Sequence, residues 1–396
     1  MSRIPPSRRA RRIEPFRVMS LLEQARRLED AGRKIIHLEI GEPDFPMPEP
    51  VRAAGLAALH AGHDHYTPAG GLPALREAIA EYYARRHRVH VDPQRVFVTP
   101  GASGALLLAL ALATDPDDAV LLTDPGYPCN RHFAETLGVR PVPVPVGPQT
   151  DYQLTAEQII VCQAPDLRAV LVASPANPTG SVLDRQQITN LQAACTTREL
   201  WLLVDEIYQG LEYEAEPLPS ALNMTNEALV INSFSKFFGM TGWRLGWLVV
   251  PDSLVEAAER LVQNLFIAAS TPAQHAALAA FSPQTASILE ARRQAFEERI
   301  VRMHERLTGL PLDAGKLPSG GFYLYARLAP QLPIDAETFS MMALEHGGLA
   351  ITPGTDFGRH QAGRHLRFAC TRPVDQLDEA ADRLEKLFES LERGSL

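Results

Sequence analysis

The sequence lacks several features that mark specialised classes of protein. It has only four cysteines in 396 residues, and they lie far apart with no Cys-x-x-Cys pair. This spacing excludes a disulfide scaffold and a zinc ribbon, and it favours a reducing compartment. The longest apolar run, residues 105–113, is much shorter than the roughly 20 residues that a membrane-spanning helix needs. We therefore expect a cytoplasmic protein without a membrane segment.

Positive charge is also scarce. The chain has 38 lysines and arginines against 47 aspartates and glutamates, a formal net charge of −9. No overall positive field is available to attract nucleic acid or an anionic membrane, so neither is expected as a partner. The basic cluster at residues 8–12 is interpreted as a solvated terminus, because the apolar core of an export signal does not follow its twin arginine.

What the chain does contain is an ordinary globular composition, with 45% hydrophobic and 21% charged residues. Its length predicts two or three domains. Short apolar runs alternate with helical patterns, which is typical of a parallel sheet with crossover helices. The predicted strands are 95–98, 119–123, 169–173, 200–204, 228–231 and 365–368, and the predicted helices are 103–113, 184–197, 285–307 and 374–391.

The most informative segment is residues 233–247, which read SFSKFFGMTGWRLGW and follow a predicted buried strand. The hydroxyls of Ser233 and Ser235 and the guanidinium of Arg244 suit a phosphate group. Lys236 stands among apolar and cationic neighbours, which should lower its pKa and favour a Schiff-base nucleophile.

This segment resembles the lysine signature of class I and II aminotransferases, pyridoxal-phosphate enzymes of fold type I. Lys236 precedes Arg244 by 8 residues and follows Asp205 by 31, in the order and approximate spacing of that family. Similar motifs occur at GEPDFP (41–46), ASPANPTG (173–180), VDEIY (204–208) and HLRF (365–368). The resemblance therefore covers nearly the whole chain.

The resemblance implies an α/β fold with a mostly parallel central sheet sandwiched by helices. It also implies a large cofactor-binding domain over residues 46–280. A smaller α/β domain is then built from both termini, residues 1–45 and 281–396.

The implied cofactor is pyridoxal 5′-phosphate, joined to Lys236 as a Schiff base. An anionic Asp205 would keep the ring nitrogen protonated, which the ring needs to act as an electron sink. Asn177 and Tyr208 resemble the pair that hydrogen-bonds the phenolic oxygen of the ring. Tyr127 resembles the aromatic residue that stacks on the ring, and it lies just past a strand end, where α/β sheets bind ligands.

The phosphate is expected at a glycine-rich helix start, where unpaired amides favour an anion. The residues assigned to it are Ala102, Ser103, Ser233, Ser235 and Arg244. Tyr66 resembles a tyrosine that reaches the phosphate from the neighbouring subunit, which implies a homodimer with shared active sites. No metal is expected, because no carboxylate or cysteine set completes a site around His60, His63 and His65.

Arg367 corresponds to the arginine that grips the α-carboxylate of the substrate, and Gly41 and Asn177 would lie beside it. Trp243 and Phe16 could line the side-chain pocket or belong to the core. Ser103 stands where some dicarboxylate-specific relatives have a lysine. An aspartate preference is therefore unsupported, although another arginine such as Arg131 could substitute.

We predict a transferase of amino-acid metabolism or biosynthesis that moves the amino group of an L-amino acid to a 2-oxo acid by a ping-pong route. The alternative is a β-elimination carbon–sulfur lyase, because fold and cofactor do not fix which bond breaks. An alanine-, aromatic- or branched-chain-type activity is as compatible with the residues placed above.

Two other classes are disfavoured. Ser233-x-x-Lys236 fits the signature of penicillin-binding enzymes, but the Ser-Asp-Asn and Lys-Thr-Gly motifs of that class do not occur. A pyridoxal-binding transcription regulator would need a helix-turn-helix domain before Gly41, and only 40 residues precede that position.

Overall fold

A computed structural model describes residues 4–15, 17–214 and 216–394, so the candidate Phe16 lies outside the described residues. The strands are β1 (Ile36–His37), β2 (Val96–Thr99), β3 (Ala119–Asp124), β4 (Arg140–Pro145), β5 (Leu167–Ala173), β6 (Trp201–Asp205), β7 (Leu229–Ser233), β8 (Gly246–Val249), β9 (Leu312–Asp313), β10 (Tyr323–Leu328), β11 (Leu349–Ala350), β12 (Thr352–Pro353) and β13 (His365–Ala369). The α-helices are α1 (Arg8–Arg12), α2 (Arg17–Asp30), α3 (Glu49–His60), α4 (Pro73–His87), α5 (Gly101–Ala113), α6 (Pro128–Leu137), α7 (Ala156–Val161), α8 (Arg185–Thr197), α9 (Val255–Leu265), α10 (Thr271–Leu278), α11 (Pro283–Thr308), α12 (Ala336–Met342) and α13 (Val374–Glu392).

The elements predicted from apolar runs and helical patterns are confirmed, with boundaries shifted by at most two residues. For example, α8 begins just after Asp184, whose carboxylate accepts a 2.7 Å hydrogen bond from the backbone N–H of Gln187. Strand β4 was not predicted because its sequence, RPVPVP, carries a proline at every second position. The fold tolerates these prolines because β4 lies at the edge of its sheet.

The large sheet has the strand order β2-β8-β7-β6-β5-β3-β4. Its five strands from β7 to β4 are parallel to one another, and β8 runs antiparallel to both β2 and β7. The predicted mostly parallel sheet flanked by helices is confirmed. Because β5, β6 and β7 are parallel, their carboxyl ends meet at one edge, where Ala173, Asp205 and Ser233 end their strands.

A second sheet, β12-β13-β10-β9, is antiparallel, and β1 pairs separately with β11 in parallel. The second sheet has its own hydrophobic core, in which Ile36 and Leu38 pack with apolar side chains from residues 300–388. The domain boundaries at residues 46 and 280 stay a prediction. No described helix combines the length and apolar character needed to cross a membrane.

Candidate active site

A cavity of about 190 Å³ lies at the carboxyl ends of β5 and β6, beside the turn that follows β7. It collects eleven of the thirteen residues that the sequence assigned to the site. These are Gly41, Ala102, Ser103, Tyr127, Asn177, Asp205, Tyr208, Ser235, Lys236, Arg244 and Arg367. Residues up to 326 positions apart in the chain are thereby brought to one place.

Two predicted residues do not line this cavity. Ser233 is buried behind its wall, with its hydroxyl 3.0 Å from both the hydroxyl and the backbone nitrogen of Ser235. It therefore holds Ser235 in place rather than facing the cavity. Tyr66 is 82% exposed on the surface of the chain, so its assignment to a neighbouring subunit's site stays a prediction.

Lys236 projects into the cavity from the turn that follows β7. Its Nζ donates a 2.7 Å hydrogen bond to the carbonyl oxygen of Gly41. Burial lowers the pKa of this amine to about 8; Glu42 opposes the shift, and the positive charges of Arg367 and Arg244 add to it. The neutral, nucleophilic form of the amine is thus accessible near physiological pH.

Asp205 is the last residue of β6 and is only 4% exposed. Its Oδ1 accepts a 3.1 Å hydrogen bond from the backbone N–H of Ile207. Burial raises the pKa of the carboxyl to about 7, and this hydrogen bond and the charge of Lys236 offset only part of that shift. Such a carboxylate is suited to a cationic N–H donor in the cavity.

Arg367 lies on β13 and is 2% exposed, yet among the described residues it forms no ion pair. Its Nη1 donates to Oδ1 of Asn177 at 3.2 Å. Its Nη2 donates to the carbonyl oxygen of Glu39 and, at 3.2 Å, to the hydroxyl of Thr352. These acceptors orient the guanidinium without neutralising it, so its positive charge is left for a ligand carboxylate.

Two aromatic rings hold the same guanidinium. Its carbon lies 4.5 Å from the ring centroid of Tyr323 and 4.8 Å from that of Phe357. Rings at these distances attract a cation and restrict the side chain. Its Nε is buried without a hydrogen-bond partner in the described part of the chain.

Tyr323 is a site residue that the sequence did not reveal. Its hydroxyl lies 2.9 Å from that of Tyr208. A Cβ atom at Gly41 would lie 1.7 Å from the Tyr323 hydroxyl oxygen, so only glycine fits at position 41. The only signal was the sequence SGGFYLY, which marks the start of a strand and gives no sign of a partner 115 residues earlier.

The start of α5 forms a cradle with the turn after β7. A Cβ atom at Gly101, whose φ is +72°, would lie 2.6 Å from Nη2 of Arg244. The guanidinium therefore rests against the first residue of the helix, and Ser103 and Ser235 line the cavity nearby. A helix N-terminus, an arginine and two hydroxyls together suit an anion such as phosphate.

Trp243 packs away from the cavity. The Cβ that Gly55 of α3 lacks would fall 2.5 Å from Cη2 of Trp243. This contact supports the core interpretation of Trp243 over the pocket interpretation, because the indole occupies the space that a side chain at position 55 would need.

Comparison with known proteins gives a consistent result. Residues 33–384 match the model of the family described as aminotransferase class I and II. The chain is 37% identical to a valine–pyruvate aminotransferase of Mycobacterium tuberculosis, over 94% of this chain and 96% of the relative. It is 32% identical to an aspartate aminotransferase of Geobacillus stearothermophilus, over 97% of this chain and 99% of the relative.

A solved structure supports the same assignment. The crystal structure of an aminotransferase from Mycobacterium tuberculosis superposes with a TM-score of 0.93 at 36% identity, covering 98% of this chain and all of that one. The fold and the enzyme class predicted from the sequence are confirmed, and the lyase alternative is not favoured. This chain belongs to the class I and II aminotransferase family.

Proposed function

We propose that the protein is a pyridoxal-phosphate-dependent aminotransferase that moves the amino group of an L-amino acid to a 2-oxo acid in two half-reactions. The observation that carries the proposal is the convergence of Lys236, Asp205 and Arg367 on one cavity. When bound, the cofactor supplies an electron sink for the α-carbon of the substrate.

The residues present fit this cofactor. The buried carboxylate of Asp205 suits a protonated ring nitrogen, because the charge of Lys236 offsets only part of the rise in its pKa that burial causes. The cradle formed by the start of α5 with Ser103, Ser235 and Arg244 suits the phosphate. The Lys236 amine lies in the same cavity and suits the aldehyde carbon.

The side chains that line the cavity have separate roles toward the substrate and the cofactor. Arg367 binds and orients the α-carboxylate, and Asn177 and Tyr208 hold their polar groups toward the cofactor site. The Lys236 amine takes the α-proton and returns it to the neighbouring carbon as a positioned general base. Tyr127 lines the same cavity and would form the wall against one face of the ring.

The test is a pair of half-reactions on purified holoenzyme. An L-amino acid alone should change the absorption of the bound cofactor and release one equivalent of 2-oxo acid. A second 2-oxo acid should restore the absorption. Release of pyruvate and ammonia from cystathionine, without transfer to an added oxo acid, would contradict the proposal and favour the lyase.

The depressed pKa of Lys236 predicts a pH profile. Above a pKa of about 8 the amine is neutral, and each pH unit below it reduces the neutral fraction about tenfold. Covalent capture of pyridoxal phosphate by cofactor-free protein should therefore accelerate up to about pH 8 and then level off, as measured by stopped-flow absorbance. A blocked lysine peptide with the ordinary pKa of 10.5 is the control. A protein rate that keeps rising in parallel with this peptide would contradict the prediction.

Tyr323 is expected to position its neighbours. Tyr323→Phe keeps the ring beneath Arg367 but removes the hydrogen bond to Tyr208, so kcat should fall about three- to tenfold with little change in KM. Tyr323→Leu also removes the ring, and KM for the amino acid should rise about tenfold. Steady-state kinetics of the two variants separate these effects. Equal KM values in both variants would show that the ring does not support Arg367.

We also propose a homodimer with shared active sites. Tyr66, Leu265 and Ile267 are exposed large apolar side chains, at 82%, 50% and 54%; we assign them to one patch. A 2.6 Å hydrogen bond from the Thr271 hydroxyl to the carbonyl oxygen of His65 joins the two segments of this patch. Burial of such a patch against a second copy is favourable. Sedimentation equilibrium should give twice the 43.5 kDa chain mass, and a monomeric holoenzyme would contradict the proposal.

We also propose that the protein is cytoplasmic and that it acts in amino-acid biosynthesis. All four cysteines are free thiols, and Cys195 and Cys370 are buried. Free thiols are typical of reducing compartments. Cell fractionation followed by immunoblotting tests the location.

A further inference from the structure

The positive charges that line the active-site cavity are few. Among the described residues they belong to Lys236, Arg244 and Arg367. The proposed function uses each of them once, for the cofactor aldehyde, its phosphate and the substrate α-carboxylate. No cation of this cavity is left to neutralise a second carboxylate on the substrate side chain.

The wall near the carboxylate site is apolar. Val18 and Met19 of α2 and Ile40, which precedes Gly41, line the cavity; Val18 is buried and Met19 is 53% exposed. Leu106 of α5 also lines the cavity and is buried. Together they offer a substrate side chain hydrocarbon contacts and no charged group.

Helix α2 is fixed to the loop that supports Arg367. The backbone N–H of Arg17 donates a 3.1 Å hydrogen bond to Oδ1 of Asp356. The next residue, Phe357, stacks on the Arg367 guanidinium. The position of Val18 and Met19 is therefore set relative to the α-carboxylate site.

The two segments expected to meet a second copy bring no lysine or arginine to the active-site cavity. The segments 65–71 and 262–271, which carry Tyr66, Leu265 and Ile267, read HYTPAGG and VQNLFIAAST and contain neither lysine nor arginine. A side chain that extends toward these two segments would therefore meet no lysine or arginine.

We propose that the amino-acid substrate has an uncharged aliphatic side chain, received by the wall of Val18, Met19, Ile40 and Leu106. This inference rests on the proposed function and specifies its substrate class. A buried apolar group gains about fourfold in binding for each methylene. An unpaired carboxylate in the same place loses its hydration without compensation.

A neighbouring cavity is the alternative location for the substrate side chain. It encloses about 580 Å³ and meets the active site at Tyr127, Ala173 and Asn177. Four arginines line it, namely Arg12, Arg17, Arg131 and Arg359. Arg131 donates a 3.1 Å hydrogen bond to the carbonyl oxygen of Asp356, with no carboxylate in ion-pair contact among the described residues. A dicarboxylic substrate would have to reach this arginine past Tyr127 and Asn177.

Leucine and aspartate provide the decisive comparison, because both side chains branch at Cγ into two heavy atoms and they differ in charge. Each is mixed rapidly with the holoenzyme, and the rate of change of the cofactor absorbance gives kcat/KM for the first half-reaction. We expect kcat/KM for leucine to be about fiftyfold higher than that for alanine and at least a hundredfold higher than that for aspartate. Aspartate as fast as leucine would overturn the proposal. Failure of every amino acid to react would instead overturn the proposed function.

Two variants test which cavity receives the substrate side chain. Met19→Arg places a guanidinium in the wall and should raise the rate with aspartate relative to leucine at least tenfold, whereas an unchanged ratio would overturn the assigned wall. Arg131→Met, the matched change in the neighbouring cavity, should leave the leucine-to-aspartate ratio as it is. A selective loss of aspartate activity in Arg131→Met would place the side chain in the larger cavity and overturn the proposal.

Discussion

Replacement of Lys236 by alanine is expected to reduce transamination about ten-thousandfold. The variant loses both the amine that reacts with the cofactor and the base that moves the α-proton, and the base alone contributes about 10²- to 10⁴-fold. The size of the effect follows from geometry, since Lys236 is the only lysine that lines the cavity within the described residues. Single-turnover conversion of amino acid to 2-oxo acid measures the loss.

The controls for this variant are specific. Lys316, whose side chain is 75% exposed, can be changed to alanine with activity preserved. A small primary amine added to Lys236→Ala should restore part of the rate in proportion to its concentration. Borohydride reduction of the wild-type holoenzyme should attach the cofactor to Lys236 and to none of the other three lysines of the chain. Retention of more than a few per cent of wild-type activity would contradict the assigned role.

Replacement of Arg367 by leucine is expected to lower kcat/KM for amino acids about a thousandfold. The variant removes a buried guanidinium that Asn177, Glu39 and Thr352 orient toward the substrate carboxylate. Loss of one partner from such a buried charge pair costs about 3–5 kcal/mol. Most of the effect should appear in KM, measured by steady-state kinetics, and the absorption of the bound cofactor should change little.

Two comparisons make the Arg367 prediction decisive. Arg367→Lys keeps the charge but loses the planar fork, so an intermediate rate is expected. An amino-acid amide has no α-carboxylate, and wild type and Arg367→Leu should process it at similar slow rates. A large difference between them with the amide would show that Arg367 acts elsewhere.

The sequence was most informative where chemistry follows a buried strand. Apolar runs located β6 and β7. Asp205, which ends β6, and Lys236, which follows β7, were predictable because parallel strands end at one edge of a sheet. Arg367 was predicted only through its resemblance to the family, because nothing in its own strand distinguishes it from other arginines. Its position in the site depends on the pairing of β10 with β13.

Other features depend on contacts that leave no local pattern. Tyr323 meets Tyr208 through the approach of two separate sheets, and Phe357 reaches Arg367 from an irregular loop. Ser233 was assigned to the cavity because two hydroxyls in one turn look equivalent, whereas the strand buries one and exposes the other to the site.

The clamp of two aromatic rings on Arg367 also bears on the entropy of binding. A free arginine side chain has about 2 kcal/mol of rotamer entropy. The contacts with Tyr323 and Phe357 restrict that freedom. A carboxylate therefore meets a preorganised receptor, and little further ordering is needed on association. This preorganisation is general for carboxylates, so discrimination among amino acids depends on the contacts of their side chains.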